Sequence, residues 1–227
     1  VIEETAEISY KLTLFTKLVS PMEKYETVLT IDTRKLPYEE VLSDTSRLWY
    51  EETSVPDAAK EPMYSTWYSY HQNLEHDELI KELKSAKRLG METVIIDDGW
   101  QTCDGQRGYA HCGDWKPERL TDMKGFVSDV HELGMKCMLW YSVPFVGKYS
   151  KAWERFQGKY LDAYDERHPW CRLDPRYPEV REYLINIYEK AVKEWNLDGL
   201  KLDFIDHIQL TEESAAPNDD MDYSSLV

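Results

Sequence analysis

The chain has 227 residues, of which 42% are hydrophobic and 13% aromatic, and its formal net charge at pH 7 is −16. A chain of this length and composition can bury a core, which excludes intrinsic disorder over most of its length. The negative charge repels nucleic acid and anionic membranes, so we expect neither as a partner and favour an uncharged ligand.

No run of about 20 apolar residues is present, so no membrane-spanning helix is predicted. The first residues, "VIEETAEISY", lack the basic stretch followed by an apolar stretch that marks a secretory signal. The four cysteines match no zinc-site spacing. Cys103 and Cys112 flank one loop and could pair across it, but buried or free thiols are favoured, and a reducing compartment, the cytoplasm, is expected.

The beginning of the chain alternates between apolar and polar residues as β-strands do. The segments "ISYKLTLFTKL" (8–18) and "YETVLTIDT" (25–33) flank a turn-like "SPMEK", which predicts a hairpin-like part of a larger β-structure. Residues 34–61 carry many charges and contain Pro37 and Pro56, which indicates a linker with one short amphipathic helix around residues 38–50.

From Pro62 onward, predicted strands alternate with amphipathic helices. The pattern predicts strands at 63–70, 91–100, 135–144 and 197–207, with helices at 77–90, 122–134 and 177–195 between them. Strand, helix, strand in this order is typical of an α/β fold with a parallel sheet and right-handed crossovers.

Each predicted strand changes from aliphatic to polar or aromatic residues toward its C-terminal end. These ends are Trp67–Ser69, Asp97–Trp100, Trp140–Tyr141 and Asp203. Catalytic and binding groups collect at this end of the strands in a βα barrel. A single "DDG" is more often a turn or a helix cap, but three successive strands that end this way favour a site.

The last strand, "LDGLKLDFIDH", carries a lysine and a carboxylate two residues apart. Alternate strand residues share a face, so Lys201 and Asp203 lie together, and an inward face would put Asp203 at the barrel mouth. The ammonium would keep Asp203 ionised, as a nucleophile requires. A buried structural ion pair is an equal alternative.

Acidic residues and tryptophans on neighbouring strand ends suggest a sugar, because carboxylates accept hydrogen bonds from hydroxyls and indoles stack on pyranose C–H groups. Asp97 and Asp98 could also hold a metal ion, but no third ligand has suitable spacing. We therefore predict no metal and no cofactor, and we assign no role to the six histidines.

Six segments occur in a recognisable order, namely "YSTWYSY", "IIDDGWQ", "GDW", "MLWYSVP", "LDPRYPEVREYL" and "GLKLDFID". In this order the chain from about residue 62 to its end resembles the melibiase-type α-galactosidases of glycoside hydrolase family 36. The resemblance implies that residues 1–33 end an N-terminal β-sandwich domain. It also implies that residues 62–227 form the first half of a (β/α)8 TIM-type barrel, with residues 34–61 as the linker.

The resemblance also implies roles for individual residues. Asp203 matches the nucleophile that forms a covalent glycosyl-enzyme, and Lys201 would contact ring hydroxyls. Asp97 and Asp98 match the pair that binds the 4- and 6-hydroxyls of galactose. The expected further contacts to the sugar come from Trp67, Trp140 and Arg172. The family commonly shows Lys-Trp-Asp-x-Asn, whereas this chain has Lys-Leu-Asp-Phe-Ile-Asp.

The expected function is a retaining hydrolase that acts on terminal α-linked galactose in an oligosaccharide or glycoconjugate. The alternatives are a related α-glycosidase or galactosyl transferase, and a catalytically silent fragment or sugar-binding module. A full barrel needs about 250 residues. We therefore expect the acid/base to lie beyond Val227, the chain alone to lack turnover, and open sheet edges to favour a homo-oligomer.

Overall fold

A computed structural model of the chain describes residues 2–5, 9–12, 26, 29–49, 54–105 and 108–222. The chain divides into two compact units, Val1–Thr53 and Ser54–Val227. The division falls within the predicted linker. Among the described residues, no helix is long and apolar enough to cross a bilayer.

The described residues of the first unit form a small hairpin and one helix. Strand β1 (Ile2–Thr5) pairs antiparallel with β2 (Ser9–Leu12), and helix α1 (Tyr38–Trp49) confirms the predicted helix. The predicted strand at 25–33 is wrong where the structure describes it, because residues 26 and 29–33 are irregular. Leu29 and Ile31 alternate as in a strand but are 55% and 73% exposed, so no described surface buries that face.

The second unit is built on a parallel sheet of four strands. The four strands are β3 (Met63–Ser65), β4 (Thr93–Ile96), β5 (Lys136–Ser142) and β8 (Gly199–Asp203). They lie side by side in the order β3-β4-β5-β8, and each strand is hydrogen-bonded in parallel to its neighbour. The helices between them are α3 (His76–Arg88), α4 (Met123–Glu132) and α6 (Pro178–Trp195). This confirms the predicted α/β fold, with the strand order of half a βα barrel.

The helices form where capping residues and apolar spacing agree. Helix α3 buries Leu79, Leu83 and Ala86, which recur on one face. Helix α4 begins after Asp122, whose side chain accepts a hydrogen bond from the amide of Gly125. Helix α6 begins with Pro178, which lacks an N–H that the first turn would leave unpaired. The buried residues of α3 and α4 share one core cluster with residues of β4 and β5, and each large buried side chain contributes about 1.5–3 kcal/mol.

The first predicted strand of the sheet is shorter than the sequence indicated. Strand β3 ends at Ser65, and Trp67–Tyr70 forms the short helix α2. The reason is local, because Thr66 has a helical backbone and its carbonyl accepts from the amides of Ser69 and Tyr70. Trp67 therefore begins a helix and does not end a strand.

The long connection between β5 and α6 holds a second hairpin that the sequence did not predict. Strand β6 (Phe145–Gly147) pairs antiparallel with β7 (Trp170–Arg172), and the short helix α5 (Lys151–Arg155) lies between them. Three-residue strands are too short to show a period.

All four cysteines are free, with Cys103 exposed and the other three buried, which confirms the prediction of free thiols.

Candidate active site

Three carboxylates meet at the C-terminal edge of the parallel sheet. Asp97 and Asp98 directly follow β4, and Asp203 is the last residue of β8. The strand between them is β5, in which Trp140 is opposite Lys201 and Ser142 is opposite Asp203. Because parallel strands end at one edge, residues more than a hundred positions apart share this face.

Lys201 joins carboxylates from two non-adjacent strands. Its Nζ lies 2.8 Å from Asp97 Oδ2 and 3.3 Å from Asp203 Oδ2, so the ammonium reaches past β5. Burial lowers the pKa of Lys201, but the hydrogen bond and charge of Asp97, with the charge of Asp203, outweigh burial and raise it. Lys201 therefore lies as an ammonium between two carboxyl groups.

Asp203 is held by groups that favour its charged form. The Trp140 indole donates to Asp203 Oδ2 at 2.9 Å, and the Phe204 amide donates to Oδ1 at 3.0 Å. Burial raises the pKa of Asp203, but the Trp140 hydrogen bond and the Lys201 charge outweigh it, so the pKa lies below its ordinary value. The side chains of Asp203 and Lys201 remain 34% and 35% exposed, unlike a sealed structural ion pair.

The neighbouring carboxylates Asp97 and Asp98 are both buried but are held in different ways. Asp97 accepts from Lys201, from the Ser65 hydroxyl at 3.4 Å and from the Asp98 amide at 2.9 Å. Asp98 accepts instead from two neutral amides, those of Gln72 and Gln101, each at 2.6 Å. Burial raises the pKa of Asp98, the Asp97 charge adds to this, and the two amides oppose it.

The turn after Asp98 requires glycine. Gly99 has a φ of +115°, and a Cβ there would lie 2.5 Å from the Cα of Gln72. The backbone of Gln72 therefore approaches the turn more closely than any side chain allows. This contact lets the Gln72 amide reach Asp98.

Replacing Gly99 with Ala is expected to lower the free energy of unfolding by about 1–3 kcal/mol, because it adds a backbone clash to a strained φ. Gly90→Ala is the matched control, because Gly90 has a φ of +87° with no heavy atom within 4 Å of its Cβ position. Urea denaturation measures both variants. Equal losses would show that φ alone, and not the approach of Gln72, determines the cost.

Tyr109 is a site residue that the sequence did not reveal. It lies in the 3-10 segment Gly108–His111, and its ring packs on Trp140, Phe145 and Phe204 at centroid distances of 6.4, 4.8 and 5.4 Å. Burial raises the pKa of Tyr109 to about 12, and the nearby carboxyl groups of Asp98, Asp203 and Asp97 add to the effect. A protonated phenol, which can donate a hydrogen bond, thus lies near the three carboxylates.

Gln72 and Gln101 were also missed as site residues. Gln101 stands in the quoted "IIDDGWQ" segment, where a polar residue directly after the predicted strand 91–100 was a usable signal. Gln72 and Tyr109 lie on irregular or short helical segments, where periodicity gives no signal.

The other predicted contacts lie apart from the carboxylates. Trp67 lines a cavity of about 670 Å³ that shares Gln72 with the site but not its three aspartates. Arg172 forms an ion pair with Asp162, donates to the carbonyl oxygen of His207 at 2.9 Å, and lines a separate cavity of about 240 Å³. The predicted sugar contacts of Trp67, Arg172 and Trp140 all stay predictions, although the Trp140 indole donates to Asp203.

The described residues contain no group of three or more His, Cys, Asp or Glu side chains arranged to hold a metal ion. The described site offers three carboxyl groups as acceptors, the Lys201 ammonium, the Trp140 indole and the Tyr109 phenol. Such a set can bind several hydroxyls and can supply an attacking carboxylate.

Known proteins similar to this chain are mostly α-galactosidases. The α-galactosidase Mel36A of Lactobacillus acidophilus is 30% identical over 160 residues, which are 66% of this chain and 20% of that enzyme. An A type blood α-D-galactosamine galactosaminidase of Flavonifractor plautii is 22% identical over 170 residues, 66% of this chain and 15% of that protein.

Among solved structures, the fold is similar to that of TtGalA, an α-galactosidase from Thermus thermophilus in complex with stachyose. The TM-score is 0.59 at 27% identity, and the match covers 74% of this chain and 37% of that chain. This chain spans about a fifth of the length of the L. acidophilus enzyme (20%). The Melibiase family profile matches residues 51–225, which is most of the sequence. The chain therefore belongs to the melibiase family.

Proposed function

We propose that this chain contributes the nucleophile and the galactose-binding groups of a retaining glycoside hydrolase that releases terminal α-linked galactose. The observation that carries the proposal is the contact of Lys201 with both Asp97 and Asp203. It places a cation and an ionised, accessible carboxylate beside two buried acceptors on one face. The named α-galactosidases among the relatives support the sugar.

In the proposed reaction, a carboxylate oxygen of Asp203 attacks the anomeric carbon as the bond to the leaving oxygen breaks. The product is a covalent galactosyl ester, which water then hydrolyses with release of galactose and the free carboxylate. Lys201 keeps Asp203 ionised before attack, and Trp140 fixes its orientation. A second carboxyl group, in its protonated form, must donate a proton to the leaving oxygen, and none of the described residues is assigned to that step.

The test uses α-galactosyl fluoride, because fluoride departs without protonation and so does not depend on the acid. We expect the protein to consume α-galactosyl fluoride much faster than α-glucosyl fluoride, with a burst of fluoride release if the ester accumulates. A fluoride electrode measures both rates. Equal rates for the two sugars, or no binding of either, would overturn the galactose assignment.

Asp97→Asn or Asp98→Asn should each cost about 2–4 kcal/mol in transition-state binding, because each removes a charged acceptor from a buried pocket. The measurement is kcat/KM for α-galactosyl fluoride together with the melting temperature. Glu132→Gln on the exposed side of α4 is the control for loss of one negative charge. A fully active variant, or one that only unfolds, would make the pair structural.

A related substrate is the second candidate, favoured by the relative named as a galactosaminidase. A galactoside that carries an amino or acetamido group at C2 keeps the 4- and 6-hydroxyls, so the same carboxylates can bind it. Comparing p-nitrophenyl α-galactoside with its 2-acetamido analogue separates the two substrates. Tight binding of both without turnover by the intact protein would instead indicate a sugar-binding module.

A further inference from the structure

Asp98 is held by two side chains from two different connections of the fold. Gln72 follows the short helix after β3, and Gln101 follows β4. Their amide nitrogens donate to different oxygens of Asp98, Gln72 to Oδ2 and Gln101 to Oδ1, both at 2.6 Å. The carboxyl group cannot rotate without breaking one of these bonds.

The orientation of the Gln101 amide is fixed by its surroundings. Its Oε1 accepts from the Gly99 amide at 3.0 Å, which leaves its NH₂ group to face Asp98. The side chain is 3% exposed, so an unpaired amide there would be costly. Gln72 is fixed from the other side by the close approach of Gly99.

Asp97 and Asp98 differ in the charge of the side chains that donate hydrogen bonds to them. Lys201 compensates Asp97 at 2.8 Å, whereas the hydrogen-bond donors on the side chain of Asp98 are neutral amides. A carboxylate accepts about four hydrogen bonds, so acceptor capacity remains for a ligand beside the two side-chain amides. The two amides set the direction from which a ligand can donate to it.

We propose that Gln72 and Gln101 are positioning residues that hold Asp98 as a fixed acceptor for a hydroxyl of the sugar, with neutral amides as its side-chain donors among the described residues. We call the two hydrogen bonds from Gln72 and Gln101 to Asp98 the clamp. The inference rests on the proposed function for the identity of the ligand, but the clamp can be tested without any sugar. The fixed acceptor rejects a sugar whose hydroxyl lies elsewhere, because the buried carboxylate is then left unpaired.

The sharpest variant is Gln101→Glu, which keeps an oxygen for the Gly99 amide and replaces the NH₂ group with an ionisable oxygen. At acid pH the new carboxyl is protonated and donates to Asp98, so the clamp survives. As pH rises, the proton is lost and two anions face each other. We expect affinity for methyl α-galactoside, a ligand that does not titrate, to fall by about 10- to 100-fold between about pH 5 and pH 8.

Other titratable groups near Asp98 are present in both the original protein and the variant. Among the described residues, these groups are Asp97, Lys201, Asp203, Tyr109 and Cys112. Burial raises the pKa of Cys112, and that of Tyr109 is about 12, so both stay neutral over this pH range. The original protein supplies the baseline, and Gln157→Glu on the exposed surface controls for the added charge.

A double variant separates positioning from packing. With Asp98→Asn in the background, Gln101→Glu no longer faces a second charge, so the pH dependence of affinity should disappear. If Gln101 acts through packing alone, Gln101→Glu should lower the affinity for methyl α-galactoside by the same factor at every pH, with or without Asp98→Asn. Isothermal titration calorimetry over the pH range measures all four proteins, and persistence of the pH dependence in the double variant would overturn the proposal.

A sugar-free measurement keeps the two proposals distinguishable. Gln101→Met removes one donor from ionised Asp98, so the pKa of Asp98 should rise, as followed by carboxyl ¹³C NMR. An unchanged titration of Asp98 refutes the clamp whatever the sugar does. Absence of galactoside binding by the original protein, with the expected rise in the Asp98 pKa, refutes the proposed function and leaves the clamp in place.

Discussion

A 2-fluoro galactosyl reagent with an activated leaving group is expected to label Asp203, and Asp203→Asn to slow the labelling by about 10⁴-fold or more. The amide has no negative charge with which to attack. The substitution should change the free energy of unfolding little, because Asp203 is about a third exposed and Lys201 keeps its closer partner, Asp97. Peptide mapping by mass spectrometry locates the label.

The activated leaving group matters because the reaction then needs no general acid, so the labelling tests the nucleophile alone. Asp206→Asn is the matched control, since Asp206 is an exposed carboxylate three residues further along, in the 3-10 segment Ile205–His207. In the Asp206→Asn variant, Asp203 should be labelled at the same rate as in the original protein. A label on Asp97, Asp98 or Asp206 would contradict the assignment of Asp203.

The sequence predicted the centre of this site because strand alternation is a strong local rule. Lys201 and Asp203 lie two residues apart in an apolar strand, and that spacing alone puts them on one face. The parallel order of strands then brings Asp97 beside them, although it lies more than a hundred residues away. Both inferences need only the period of each strand and the order of the elements.

The residues that the sequence did not reveal lie where no period exists. Gln72 reaches Asp98 only because the chain turns back after α2, and Tyr109 reaches Trp140 from a 3-10 segment. The sugar contact of Arg172 was inferred only from the family resemblance and stays a prediction, and spacing gave no sign that its guanidinium is paired with Asp162. Loop geometry and the choice between competing partners are tertiary properties that spacing does not encode.

The second large effect concerns the buried pair Asp174 and Arg176 in the "LDPRYP" segment. Arg176→Met is expected to lower the free energy of unfolding by about 3–5 kcal/mol, because it leaves a buried carboxylate without its cation. Asp174 and Arg176 have side chains that are 0% and 2% exposed. The guanidinium donates to both Asp174 oxygens, with Nη2 at 2.7 Å from Oδ2.

The chain supplies its own control for this prediction. Arg167 donates to Asp165 with the same two-residue spacing and the same 2.7 Å contact, but its side chain is 84% exposed. Arg167→Met removes the same local hydrogen bonds in water, so no measurable loss is expected. Urea denaturation of both variants isolates the effect of burial, and equal losses would show that local geometry, not burial, sets the energy.

Arg176 also holds part of the chain that follows the proposed nucleophile Asp203, through hydrogen bonds to Ala215 and Asp222. Its Nη2 donates to the Ala215 carbonyl at 2.9 Å, and its own carbonyl accepts from the Asp222 amide at 2.7 Å. Arg176→Met should therefore increase hydrogen exchange around Ala215 before it affects β8. Adding Asp174→Leu to the Arg176→Met variant should recover part of the free energy of unfolding, because it removes the buried carboxylate that has lost its cation. It should not restore slow hydrogen exchange at Ala215, because the guanidinium that donates to the Ala215 carbonyl is still absent.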